Sequence, residues 1–168
     1  MEKRLYYFSY GSNMSIRRLL ARVPSATKVG TGILERHELR FHKKSHKDGS
    51  AKCDACNTGN LAHYVHGVLF DISYEEKSVL DRIEGKGYGY EQKDVVIRLN
   101  SGSVIEAFTY YATHIDPALK PLDWYKAHVL TGARENALPE DYVCAIEAID
   151  SVEDIDFERR DRELSIYR

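Results

Sequence analysis

The stretch YYFSYGSNM, residues 6–14, joins a run of strand-forming aromatic residues directly to a glycine, a hydroxyl and an amide. The residues that follow it, SIRRLLARV at 15–23, have the composition of a helix. The chain is therefore expected to run from a strand through a Gly-Ser-Asn loop into a helix. Such a loop presents backbone N–H groups to an anion or an oxyanion. The alternative is an ordinary N-cap formed by Ser12 or Asn13.

The composition is that of an ordinary globular protein. The 168 residues are 43% hydrophobic and 30% charged, and the formal net charge is −2. This length predicts one domain, and this charge gives no electrostatic basis for nucleic acid or a membrane surface as partner. The sequence contains no run with the length of a signal peptide core or a membrane span, so a cytoplasmic location is expected by default.

Hydrophobic patterns along the chain predict a mixed fold. Strands are expected at residues 5–10, 30–42 and 64–72, and a hairpin at 90–99 and 103–112. Helices are expected at residues 73–84, 122–131 and 139–149, with Gly85 and Gly132 ending the first two. Strands and helices do not alternate regularly, which disfavours a doubly wound parallel sheet. The predicted fold class is therefore α+β, a small mixed and mainly antiparallel β-barrel-like sheet with helices packed outside.

The C-terminal residues differ in composition from the rest of the chain. Ten of the eighteen residues at 151–168 are charged, which predicts a solvated helix or a frayed tail. The chain is accordingly divided into a main domain at residues 1–150 and a charged tail of the same domain at 151–168.

Glu84 is the carboxylate whose position in the sequence predicts a role in proton transfer. It is the last helical residue before Gly85, at the negative end of the helix dipole, and it flanks the apolar stripe that contains Leu80. The dipole and partial burial both disfavour the charged form. We therefore expect this carboxylate to accept and return a proton near neutral pH. The alternative is a surface glutamate at a frayed helix end.

Two pairs of metal-binding residue types, Cys53 with Cys56 and His63 with His66, raise the question of zinc. The six residues between the pairs are fewer than in a usual zinc finger, and strand residues three apart point to opposite faces. Half-buried strand residues are the favoured alternative. A redox role is disfavoured because the first cysteine does not begin a helix. A zinc-stabilised interaction domain remains as a minor hypothesis.

Three segments together resemble the γ-glutamylcyclotransferase superfamily, including its bacterial-type members. They are YGSNM at 10–14, DRIEG with GYGYE at 81–91, and YKAHVLTGARENALPEDYVCAIEAI at 125–149. The resemblance covers roughly residues 5–150. It implies a barrel-like mixed sheet wrapped by helices, a small-molecule γ-glutamyl substrate, no metal or organic cofactor, and a homodimer by analogy. The third segment favours the γ-glutamylcyclotransferase branch over the glutathione-specific branch.

The resemblance also implies a reaction and a set of site residues. The α-amine of a γ-glutamyl group attacks its own δ-carbonyl, which gives 5-oxoproline and a free amine or amino acid. By matching position, Glu84 is the general acid/base and Tyr125 closes the pocket. The implied substrate-binding residues are Tyr7, Phe8, Ser9, Tyr10, Gly11 and Ser12, to which the loop described above adds Asn13. The alternative is a non-catalytic relative that binds a γ-glutamyl or amino-acid ligand.

Overall fold

Strands that are distant in the chain form a closed barrel in the computed structural model, which describes residues 3–168. The strands are β1 (Arg4–Ser9), β2 (Thr27–Glu35), β3 (His37–Lys44), β4 (Ala51–Asn57), β5 (Tyr64–Ser73), β6 (Tyr90–Leu99) and β7 (Val104–Ala112). The α-helices are α1 (Ile16–Leu20), α2 (Lys77–Glu84), α3 (Asp123–Glu135), α4 (Glu140–Glu147) and α5 (Phe157–Leu164). Within residues 3–168, none of the helices has the length and apolar composition required to span a bilayer.

The barrel has the strand order β1-β5-β2-β6-β7 and closes where β7 meets β1. The closing contact is parallel and places Tyr7 opposite Phe108, whereas the other barrel pairs are antiparallel. Strands β3 and β4 form a separate antiparallel ribbon. This architecture confirms the predicted α+β class with a barrel-like, mainly antiparallel sheet.

Strand β5 holds the first strand in place. It lies between β1 and β2 and is buried along most of its length, which explains its nearly continuous apolar sequence. Gly67 in this strand has no room for a side chain, because a Cβ atom there would lie 2.6 Å from the ring of Phe8 and 2.5 Å from the carbonyl oxygen of Ser9. The close packing of β1 against β5 fixes the point at which the Gly-Ser-Asn loop begins.

Two expectations about element boundaries were wrong. The extended segment predicted at residues 30–42 is two strands, because the chain turns at Arg36, which has a φ of 63°. Helix α3 does not stop at Gly132 but continues to Glu135. Gly132 is instead a contact position, since a Cβ atom there would lie 2.6 Å from the Cβ atom of Met14. The missing side chain lets α3 pack directly on the segment that follows β1.

The charged tail is anchored to the domain rather than frayed. Helix α5 is capped by Asp156, whose carboxylate accepts a hydrogen bond from the Arg159 N–H at 3.0 Å. Farther along, Glu163 forms an ion pair of 2.6 Å with Arg18, and the Tyr167 hydroxyl donates to Ser15 at 2.9 Å. The tail therefore packs against the helical segment that follows the first strand.

Candidate active site

The loop after β1 packs closely against β4 and α3, and the Gly11 backbone N–H in this loop has no acceptor among residues 3–168. Gly11 leads into a short 3-10 helix, Ser12–Met14. A Cβ atom on Gly11 would lie 3.2 Å from the Cβ atom of Cys53 and 3.4 Å from the Tyr125 hydroxyl. Ser15 is the N-cap residue of α1, and Glu135 rather than a residue of the loop accepts the Ile16 N–H at 2.7 Å, so the N-cap alternative for Ser12 and Asn13 is wrong.

Asn13 joins this loop to Glu84. Gly85, with a φ of 70°, ends α2 in the left-handed conformation and leaves Glu84 as its last residue. The Asn13 amide nitrogen donates to Glu84 Oε1 at 2.7 Å, while Arg22 donates to the Asn13 amide oxygen at 3.1 Å and lies 3.8 Å from Glu84 Oε1. The Glu84 side chain is 17% exposed, as its predicted partial burial requires. Asn13 and Arg22 thus both approach Glu84 Oε1 and fix the orientation of its carboxylate.

A cavity with about 310 Å³ of empty space lies between this loop and the barrel, and we call it the inner cavity. Its walls come from β1 and its loop, β4, the end of α2, β6, β7 and α3. The lining residues are Tyr7, Ser9, Tyr10, Gly11, Ser12, Asn13, Cys53, Glu84, Tyr90, Thr109, Tyr110 and Tyr125. All the site residues expected from the sequence are in this set except Phe8, which is fully buried in the core.

Four of the lining residues were missed by the sequence analysis: Cys53, Tyr90, Thr109 and Tyr110. Tyr90 lies within the GYGYE motif and donates from its hydroxyl to the Cys53 carbonyl, so the motif itself was a signal. Thr109 donates to the Phe8 carbonyl at 2.7 Å and Tyr110 donates to Asp81 at 2.5 Å. Both reach the site only through barrel closure, and no local pattern marks them.

The inner cavity is lined by neutral groups apart from Glu84. Burial, and then the negative charge of Glu84, raises the pKa of the Tyr7 phenol. Burial also raises the pKa of Tyr125, and it raises the pKa of the Cys53 thiol to about 12. These groups therefore stay protonated at neutral pH, and Glu84 is the only ionisable lining residue that carries charge there.

Ser9 supplies a buried hydroxyl that is available to a ligand. It is 1% exposed, lines the inner cavity, and its Oγ atom has no hydrogen-bond partner among residues 3–168. A buried hydroxyl without a partner costs free energy that a bound polar molecule can recover. Ser9 and Gly11 thus give the cavity lining two polar groups, the Ser9 hydroxyl and the Gly11 N–H, that have no partner among residues 3–168.

A second, wider cavity with about 930 Å³ of empty space adjoins the first, and we call it the outer cavity. Ser12, Glu84, Tyr90 and Tyr125 line both cavities, so the inner cavity opens onto the outer one beside Glu84. The other charged residues around the outer cavity are mostly basic. They are Arg18, Arg22, Lys43, Lys47, Lys52 and Arg82, against Asp48 and Glu163.

The zinc site considered from the sequence is not assembled. Cys53 lines the inner cavity, His63 contacts the Thr58 hydroxyl at 3.0 Å, and His66 packs on the ring of Tyr142. Among residues 3–168, the one group of three side chains compatible with a metal is a different set. It comprises His42, Asp54 and Cys56, in which His42 and Asp54 contact each other directly at 2.7 Å.

Comparisons with known proteins agree with this geometry. A sequence model of the AIG2-like family matches residues 64–146. The gamma-glutamylcyclotransferases of Bos taurus and Homo sapiens are each 29% identical to the chain, covering 86% and 89% of it and 78% and 80% of their own lengths. A solved structure named gamma-glutamyl cyclotransferase superposes with a TM-score of 0.83 at 25% identity, over 91% of this chain and 92% of its own.

The chain resembles the γ-glutamylcyclotransferase superfamily in sequence and in fold. The superfamily resemblance inferred from the sequence is thereby confirmed. The curated relatives and the family match support a cyclotransferase enzyme. The superfamily fold accounts for the inner cavity, because the barrel, the loop after β1 and the end of α2 meet there.

Proposed function

We propose that this protein is a γ-glutamyl cyclotransferase that releases 5-oxoproline from a γ-glutamyl amino acid or amine, with Glu84 as general acid/base. The observation that carries the proposal is the contact between Asn13 and Glu84 at 2.7 Å, at the mouth of the inner cavity. It brings the only charged lining residue next to a loop with a free backbone N–H. The names of the curated relatives support the same reaction type.

The first step is ring closure within the substrate. The γ-glutamyl α-ammonium loses a proton to Glu84, and the amine lone pair forms a bond to the δ-carbonyl carbon. The carbonyl electron pair moves to oxygen, and the N–H groups of Gly11 and Ser12 stabilise the oxyanion. Because nucleophile and electrophile are in one molecule, the main task of the inner cavity is to hold the chain in its ring-closing shape.

The second step releases the amine. The oxyanion electron pair re-forms the carbonyl, the bond from carbon to the departing nitrogen breaks, and Glu84 returns its proton to that nitrogen. The ring nitrogen, which became positively charged when it bonded to the carbonyl carbon, loses its second proton to water. The products are 5-oxoproline and the free amine or amino acid, with no net change in protons on the protein. The amine departs toward the outer cavity, which begins beside Glu84.

The decisive experiment is a mass-spectrometric assay of 5-oxoproline with γ-glutamyl dipeptides, γ-glutamyl amines and glutathione as substrates. Glu84→Gln removes the proton carrier at constant size, so we expect activity to fall by roughly 10²–10⁴-fold. Glu75→Gln is the matched control, since Glu75 is exposed and forms no ion pair among residues 3–168. The control should keep full activity.

Two results of this assay would contradict the proposal in different ways. Unchanged 5-oxoproline formation in Glu84→Gln contradicts the role of Glu84. If no substrate reacts with the wild-type protein but one of them binds tightly by calorimetry, the alternative of a non-catalytic ligand-binding relative replaces the proposal. The resemblance also supports two smaller proposals, a cytoplasmic location and a homodimer, and size-exclusion chromatography with light scattering tests the second.

A further inference from the structure

Lys43 is a buried cation in the wall of the outer cavity, and it forms no ion pair with residues 3–168. It lies on β3 at a register shift between β3 and β4, and it is 6% exposed. Each of the three carboxylates that line this cavity is next to another cation, with Arg18 beside Glu163, Lys52 beside Asp48 and Arg22 beside Glu84. Those pairs leave three cations without a carboxylate among residues 3–168.

Lys43 differs from the other two unpaired cations in its burial. Lys47 and Arg82 are exposed, so water solvates them. The Lys43 ammonium instead lies 4.5 Å from the centroid of the Tyr90 ring, and it forms no hydrogen bond with residues 3–168. The structure makes room for it at Gly89, where a Cβ atom would lie 2.9 Å from Lys43 Cε and 3.2 Å from its Nζ.

The environment of Lys43 favours an anionic partner. Burial lowers the pKa of its ammonium, while the charge of Glu84 acts in the opposite direction. A buried charge without a partner is unfavourable, and a bound anion offsets that cost through a charge-assisted hydrogen bond. Tyr90 lines both cavities and carries Lys43 on its ring, which places this cation near the boundary between them.

We propose that Lys43 is a specificity residue that binds a carboxylate on the amine released from the γ-glutamyl substrate. The inference rests on the proposed function. Lys43 lines the outer cavity and not the inner one, and the released amine extends from the carbonyl carbon into the outer cavity. The protein therefore prefers γ-glutamyl compounds whose amine carries a free carboxylate close to its nitrogen.

The test compares two substrates that differ only in that carboxylate, γ-glutamyl-alanine and γ-glutamyl-alaninamide. Loss of a hydrogen bond to a charged group predicts that wild-type kcat/KM is higher for the acid by about 10- to 100-fold. Lys43→Met keeps an unbranched apolar side chain without the ammonium and should abolish this preference by slowing only the acid. Lys44→Met is the matched control, because Lys44 is the exposed neighbour and does not line either cavity.

Three outcomes overturn the inference. Equal slowing of both substrates in Lys43→Met would mean that Lys43 supports Glu84 or the fold instead of binding the carboxylate. Full turnover of the amide by Lys43→Met shows that this variant is folded. Weaker binding of 5-oxoproline to Lys43→Met assigns the residue to the glutamyl carboxylate instead. If the wild-type protein turns over both substrates equally, it has no preference for the carboxylate, and the inference is wrong.

Binding measurements separate this inference from the proposed function. If wild-type protein forms no 5-oxoproline from either dipeptide, the proposed function fails. Calorimetry with the acid and the amide then tests the contact between Lys43 and the carboxylate without depending on catalysis. Tighter binding of the acid that is lost in Lys43→Met supports the carboxylate contact, and equal binding of acid and amide contradicts it.

Discussion

Asn13 has a different task from the one its position in the sequence suggested. Its backbone was expected to face a ligand or its side chain to cap a helix. In the structure its amide donates to Glu84 with the nitrogen and accepts from Arg22 with the oxygen. An amide can donate with its nitrogen and accept with its oxygen at the same time. Asn13 therefore lies between an arginine and a glutamate that are 3.8 Å apart and orients the carboxylate.

Replacement of this amide by a carboxylate tests the arrangement. In Asn13→Asp, the hydrogen bond to Glu84 is lost and two carboxylates of similar size face each other. Like charges at this distance disfavour double ionisation, so one proton is held more tightly by the pair. We expect the acid limb of the pH profile of kcat/KM to move to higher pH, with lower activity at pH 7.

The control for this change is Asn60→Asp, at an exposed loop position far from Glu84 in the sequence and absent from both cavities. It should leave the pH profile unmoved. An Asn13→Asp profile that coincides with the wild-type profile would show that Asn13 does not influence the proton carrier.

At the scale of elements, the contact between α3 and the 3-10 helix at Ser12–Met14 holds the loop in position. Gly132 is inside α3, where glycine is ordinarily unfavourable by about 1 kcal/mol relative to alanine. The position is occupied by glycine because Met14 and Ser15 lie against the helix backbone. The Asn136 amide strengthens the same contact by donating to the Met14 carbonyl at 3.0 Å.

Gly132→Ala should therefore destabilise the protein although it raises helix propensity. The new methyl group would lie 2.6 Å from the backbone nitrogen of Ser15, and backbone cannot move aside as a flexible side chain can. Overpacking of this kind costs roughly 1–3 kcal/mol, which exceeds the gain in propensity. Urea unfolding measures the change in the free energy of unfolding.

Arg134→Ala on the exposed side of the same helix is the comparison for that measurement. Its ion pair with Glu147 is exposed on both sides, and exposed pairs contribute about 0–1 kcal/mol. A Gly132→Ala variant as stable as Arg134→Ala, or more stable than the wild type, would show that α3 and the loop can separate without cost.

Local patterns predicted most elements because local causes form them. The hairpin of β6 and β7 forms at the strand-forming runs on either side of the NSGS turn, and α2 ends at Gly85 as expected. The turn at Arg36 was missed because an arginine carries no signal for a positive φ. Gly132 was misread because a glycine that ends a helix and a glycine that permits close packing look the same in one sequence.

At the scale of the whole molecule, the C-terminal segment completes the wall of the outer cavity. Glu163 on α5 contacts His128 at 3.2 Å and Arg18 at 2.6 Å, and His128 is fully buried. Hydrogen bonding with His128 and the charge of Arg18 hold the pKa of Glu163 at about 2, below its ordinary value of 4.5. Burial lowers the pKa of His128, so it is neutral at pH 7.

These pKa values predict how stability responds to acid. A carboxyl group with a depressed pKa stabilises the folded state fully above its unfolded value, and that contribution is lost as the pH falls toward the folded value. For Glu163 the window is from about pH 4.5 down to about pH 2. We expect Glu163→Gln to lower the free energy of unfolding by roughly 2 kcal/mol at pH 7, with the difference from the wild type shrinking across that window.

Glu158→Gln is the matched variant, since Glu158 is an exposed residue of the same helix without an ion pair among residues 3–168. Its unfolding curve should follow the wild-type pH dependence. A constant difference between Glu163→Gln and the wild type from pH 7 to pH 2.5 would contradict the assignment of this acid sensitivity to Glu163.

The site residues that belong to local sequence motifs could be predicted. The site residues that the fold brings together from distant parts of the chain could not. The loop after β1 and Glu84 could be recognised from local motifs, and the structure places both at one cavity. Thr109 and Tyr110 enter through closure of β7 on β1, and Lys43 enters because the ribbon of β3 and β4 packs on β5 and β7. The ribbon and the barrel seam depend on distant contacts, which the sequence does not display locally.

The pairing of β1 with β5 also affects how the protein is made. Arg4 lies opposite Ser73 and Ser9 opposite Val68, so β1 lacks this partner until the ribosome has synthesised β5. At about 5–20 residues per second, that delay lasts several seconds. During this time the aromatic stretch at residues 6–10 is exposed to other nascent chains, so aggregation competes with folding until β5 pairs with β1.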